Sequence, residues 1–130
     1  MKMNNIEKEI VNHFIIKNRQ ERLLWELNSP RKRNQVFWQF AGPKLFKKEC
    51  IDFVDYMSSD QIEKFAFTHT TTKNVYYIGE DYIGELSIKQ AIDNVNLGMI
   101  CIVYFGNGFG FYQGEEEHGN RPRCLLKSKL

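Results

Sequence analysis

Membrane-length apolar runs are missing from this sequence: the longest, Met99 to Phe105, has seven residues, whereas a spanning helix needs about twenty. No transmembrane segment is expected. Near the N-terminus, Lys2 is followed by Asn4, Glu7 and Glu9 rather than by an apolar stretch and a small-residue cleavage site, so no secretory signal is expected either. Cysteine is scarce and odd in number. Cys50, Cys101 and Cys124 are far apart and sit among apolar neighbours, which reads as buried free thiols in a reducing compartment and not as disulfides or metal ligands. The expected location is therefore cytoplasmic. His13, His69 and His118 fall in different segments with no ligand spacing to the cysteines, so no metal is expected. No Gly-x-Ser-x-Gly elbow frames Ser58, Ser59 or Ser87, which excludes the simplest serine nucleophile. There are no internal repeats, no low-complexity tract and no long linker, and no cofactor motif is present.

What is there is core-forming material. Hydrophobic residues make up 42% of the 130 positions and aromatics 14%, with ten Phe, six Tyr and two Trp, enough to exclude disorder and to predict a single domain over 1–130. This content leaves oligomeric state open. The abundance of Lys, Asn and Ile suggests an AT-rich, bacterial source. A net charge of +2 conceals segregation: residues 1–48 carry +7, residues 49–98 carry −6 and residues 99–130 carry +1. Such asymmetry marks either a partner surface or two regions that face each other within the fold.

Apolar spacing predicts one long helix over about 5–28, bent near Asn18, on Ile6, Ile10, Phe14, Leu23, Leu24 and Leu27, with Asn4 and Glu7 as a weak capping pair. Ser29-Pro30 opens a second helix with Val36, Phe37 and Phe40 on one face, closed by Gly42-Pro43. These form a helical N-terminal part, 1–42. Over 49–128 short strands and helices alternate. Cys50 to Val54 reads as a strand, and Ser58-x-x-Gln61, between Met57 and Ile62, is a capping box with a hydrophobic staple that starts a helix to about Phe67. Asn74 to Ile78 is the next strand. The same device at Ser87-x-x-Gln90 opens a helix stopped near Gly98. Met99 to Phe105 lacks polar alternation, as in a central strand covered on both faces, and Asn107-Gly108 predicts a tight hairpin into Phe109 to Gln113. A last strand covers about Arg123 to Lys127, and Thr68–Lys73 and Gly114–Pro122 read as surface loops. Two strand–helix–strand units ordinarily join parallel strands. The expected fold is α+β: N-terminal helices packed on a mixed five-stranded sheet, its first three strands parallel, ending in an antiparallel hairpin.

Three groups of residues carry functional expectations. Glu80, Asp81 and Glu85, with the triplet Glu115, Glu116 and Glu117, are acidic sites for a protein partner. Arg19, Arg22, Arg31, Lys32 and Arg33 form a basic tract; the last three fall at a helix start, where the macrodipole disfavours cations, a cost that a phosphate backbone, an acidic partner, Glu21 and Glu26 nearby, or ordinary solvation can offset. If the first three strands were parallel, Asp55, Tyr56, Glu80, Asp81, Tyr82 and the Gly106-Asn107 turn would meet at their carboxyl ends, where open sheets place ligand pockets and where carboxylates could act as acid and base or hold a hard cation. The leading expectation is a non-enzymatic interaction protein of the immunity or antitoxin type. The alternatives are nucleic-acid binding through the basic helices, and an enzyme or small-molecule site at the strand ends.

Overall fold

In the computed structural model, which describes residues 5–70 and 73–130, the N-terminal third is helical: α1 (Asn5–Phe14), α2 (Lys17–Leu27), a 3₁₀ helix (Arg33–Phe40) and two 3₁₀ turns (Pro43–Leu45 and Lys48–Cys50). There follow β1 (Ile51–Phe53), α3 (Ser59–His69), β2 (Asn74–Gly79), β3 (Ile83–Ser87), α4 (Ile88–Asn96), β4 (Cys101–Gly106), β5 (Phe109–Gln113) and β6 (Arg123–Lys127). Asn4, Thr71 and Thr72, on which parts of the capping and loop expectations fall, lie outside the described residues.

The expected long helix is broken. Ile15 and Ile16 leave the helical path, Ile16 at φ −56° and ψ 142°. Their backbone pairs instead with the strand-like Leu45–Lys47 segment: Ile16 N donates to Leu45 O at 2.8 Å and Lys47 N to Phe14 O at 2.7 Å. Two adjacent β-branched residues have little helical preference to lose, and the break lets Phe14, Ile15 and Phe46 all be buried. The second helix is a 3₁₀ helix that starts only at Arg33, and its buried residues are the expected Val36, Phe37 and Phe40.

The sheet has six strands in the order β1-β6-β5-β4-β2-β3. All its pairings are antiparallel, which corrects the mixed five-stranded sheet with parallel strands. The cause is β3. Ile83 to Ser87 is a half-exposed edge strand containing Gly84 at φ +153°, a segment with weak strand propensity. It turns back on β2 as a hairpin, so α4 begins at the other end of the sheet and β4 returns antiparallel to β2. The first strand is carried to the far edge, where Phe53 faces Cys124 of β6.

Alternation then sorts the sheet residues to two cores. Tyr76, Ile78, Ile102, Tyr104, Tyr112, Cys124 and Leu126 pack on the N-terminal helices. Val75, Tyr77, Cys101, Val103, Phe105 and Phe111 pack under α3 and α4. Both capping boxes form, with Gln61 N donating to Ser58 Oγ and Gln90 N to Ser87 Oγ. After α4, Gly98 at φ +83° closes a Schellman motif: Gly98 N donates to Val95 O and Met99 N to Asn94 O. Asn107 (φ 55°) and Gly108 (φ 81°) make the β4–β5 turn, the two positive φ angles of a type I′ hairpin. No helix among the described residues is long and apolar enough to cross a membrane.

Candidate interaction surface

The antiparallel register determines which loops become neighbours. Gly79 faces Cys101, Cys101 faces Gln113, and Gln113 faces Arg123, while Val54 N donates to Arg123 O beside them. Everything just beyond this line emerges at one end of the sheet: Asp55-Tyr56 after β1, Glu80-Asp81-Tyr82 between β2 and β3, and Glu115-Glu116-Glu117 after β5. Only β4 separates β2 from β5, so at about 4.8 Å per strand the two acidic loops leave the sheet about 10 Å apart. Six carboxylates thus share this end with two guanidiniums, those of Arg121 and Arg123.

The loops are anchored from beneath. Gln113 is fully buried. Its Nε2 donates to Val95 O at 3.0 Å and Met99 O at 2.9 Å, and its Oε1 accepts from Arg123 Nε at 3.0 Å. Arg121 Nη1 donates to Gly98 O and Gly114 O, and Arg123 Nη1 to Asp55 O. Carbonyl oxygens of the backbone and of Gln113 thus hold these two guanidiniums in place, and six exposed carboxylates against two guanidiniums leave this end acidic. Between β1 and the 114–122 loop lies a concavity of about 660 Å³ lined by residues including Phe53, Asp55, Glu117, His118, Arg121 and Arg123. The Tyr82 ring folds back over Gly84, its hydroxyl donating to Glu85 O at 3.2 Å, and the exposed apolar groups that rim the same end are Phe53, Tyr56 and Leu97. The last of these precedes Gly98, which Arg121 ties to Gly114.

Other expected residues are dispersed. Glu85 points away from Glu80 and Asp81, accepting from Asn74 Nδ2 at 2.8 Å beside a cleft of about 640 Å³ at the opposite end of the sheet, lined also by Glu9, Phe67, His69, Tyr104 and Asn107. In this cleft the Tyr104 hydroxyl donates to Glu9, and burial first, then that carboxylate, raises its pKa. Periodicity did not reveal the cleft, because its lining comes from five separate elements, α1, α3, β2, β3 and β4. Gly106-Asn107 belongs to this end too, so it does not meet Asp55 or Glu80. Asp55 follows β1 and Asp81 follows β2, with three strands between them, about 19 Å at the ordinary spacing. They cannot share a proton or a cation. Glu80 is engaged locally, accepting from Ile100 N at 3.0 Å, and Asp81 accepts from the Tyr77 hydroxyl at 3.3 Å. Among the described residues no three His, Cys, Asp or Glu side chains are grouped to hold a metal.

The basic tract divides as well. Arg33 turns inward, donating through both Nη atoms to Glu7, whose carboxylate is 2% exposed and also accepts from the Tyr76 hydroxyl. The hydrogen bond to Glu7 holds the Arg33 pKa above its ordinary value despite burial. Arg19, Arg22, Arg31 and Lys32 stay on the surface. The three thiols are buried and unpaired, and burial pushes Cys101 and Cys124 up to about 12, which suits packing and not nucleophilic attack. Compared with protein-family models, with curated proteins and with solved structures, the chain gives no match in any of the three.

Proposed function

We propose that this chain is a non-enzymatic protein-interaction domain that docks a basic partner protein on its acidic sheet end, acting as an inhibitor of the immunity or antitoxin type. The observation that carries the reading is the register line Gly79–Cys101–Gln113–Arg123, which gathers Asp55, Glu80, Asp81 and Glu115 to Glu117 although they span more than sixty positions of sequence. Clustered charge of one sign steers a complementary partner and raises its association rate. Exposed Phe53, Tyr56 and Leu97 supply the apolar contact that charge alone lacks. The separation of Asp55 from Asp81 weighs against acid–base chemistry at the same edge.

The reading is tested by affinity capture from the host lysate with the native chain and with a Glu115→Lys, Glu116→Lys, Glu117→Lys variant. These side chains are exposed, so the variant should keep its fold. One stoichiometric basic protein held by the native chain and released by the variant is the expected result. A partner that the variant retains with unchanged affinity and unchanged salt dependence refutes the acidic-end assignment.

A further inference from the structure

The chain has two tryptophans, and both are more than half exposed, Trp25 at 54% and Trp38 at 57%. A residue that usually hides most of its surface is twice presented to solvent in the same N-terminal layer. Cations accompany it: the Arg22 guanidinium lies 5.3 Å and the Lys32 ammonium 5.0 Å from the Trp25 ring centroid. Arg22 and Trp25 are three apart on α2, with Arg19 one turn earlier. A 3₁₀ helix repeats every three residues, so Lys32 at its N-cap, Gln35 and Trp38 form a second exposed ridge, while Val36, Phe37 and Phe40 are buried. Two acids of α2 border this face: the Glu26 carboxylate accepts from Gln39 Nε2 at 2.8 Å and pairs with Arg22 at 3.8 Å, and Glu21 is exposed beside Arg22.

We propose that this tryptophan and arginine face of α2 and the 3₁₀ helix binds single-stranded nucleic acid. Arg19, Arg22, Arg31 and Lys32 neutralise phosphates, and Trp25 and Trp38 stack on bases. Arg33, bound to Glu7, takes no part. A duplex keeps its base faces stacked inside, so two protruding indoles select an unpaired strand. The surface lies on the helical layer and not at the acidic sheet end, so it stands or falls independently of the proposed protein partner.

Because both tryptophans are exposed, their fluorescence reads the contact directly. The full chain is titrated at low salt with a twelve-residue oligothymidylate, with the same oligonucleotide in a duplex, with polyglutamate, and with phosphatidylserine vesicles. Quenching by the single strand is expected, with log Kd rising by about 0.7 per engaged cation for each tenfold rise in salt. Trp25→Ala and Trp38→Ala should each weaken binding about tenfold, measured by anisotropy of a labelled oligonucleotide, and Trp→Phe at either site should restore part of the loss. Absence of single-strand binding, or equal binding of duplex or polyglutamate, overturns the proposal, as does preference for the vesicles. Alanine variants that stay folded by circular dichroism and bind like the native chain also overturn it.

Discussion

Arg31, Lys32 and Arg33 are adjacent in sequence but face different physical environments. Arg33 is 26% exposed and joins Glu7 and Tyr76 across α1, the 3₁₀ helix and β2. Replacing it leaves a carboxylate buried without its cation, so Arg33→Ala should lower unfolding stability by about 3–5 kcal/mol. Arg31→Ala, at an exposed position, should stay within about 0.5 kcal/mol. Urea denaturation of the two variants makes the comparison, and equal values would show that the Glu7 pair contributes nothing. The thiols give a second residue-level test. In the unfolded chain a cysteine ionises near its ordinary pKa of 9.0, whereas burial holds Cys101 near 12 in the fold. Between these values the unfolded state binds fewer protons than the native state, so stability falls as pH rises from about 9 towards 12 and is insensitive to this group below 9. Cys124 acts in the same direction. Melting temperature measured from pH 8 to 10.5 should decline, less so in a Cys101→Ala variant. A thiol reagent at pH 8 should label none of the three cysteines before denaturation and all three after it. That these cysteines are buried was legible from their apolar neighbours. The role of Arg33 was not, because Glu7 lies 26 positions away and only packing joins the two.

Elements were legible where their signals are local. Ser58-x-x-Gln61 and Ser87-x-x-Gln90 form the boxes their spacing predicts, because a cap involves only residues within one turn. Ser58→Ala and Ser87→Ala should each cost about 1 kcal/mol in chemical denaturation, and a cost near zero would mean that the side-chain caps are replaced by water. Gly98 sits at φ +83°, and an added Cβ would lie 3.2 Å from Arg121 Nη2. Gly98→Ala should therefore cost about 1–2 kcal/mol, and more if Arg121 cannot shift. The break at Ile15–Ile16 and the strand at Ile83–Ser87 were missed for a shared reason. Both are specified by a backbone partner distant in sequence or by a hairpin whose edge strand is weak in propensity, and neither interaction leaves a periodic trace.

Across the whole molecule, the two apolar clusters lie on opposite faces of the same strands, with Tyr76 in one and Val75 and Tyr77 in the other. A sheet that loses either layer exposes a full apolar face, so both layers should melt together. Tryptophan fluorescence, which reports the N-terminal layer, and far-ultraviolet circular dichroism should give coincident urea transitions; separate midpoints would show that the layers unfold independently. The sequence by itself determined the helix caps, the Asn107-Gly108 turn, the central covered strand at β4 and the apolar character of the cysteines, because each depends on neighbours along the chain. Only the tertiary structure decided strand direction, the far-edge position of β1, the inward turn of Arg33 and the gathering of the acidic loops. One additional hairpin strand reverses every later chain direction, and strand order follows from which apolar faces can be buried together. Neither is a local property of the residues concerned.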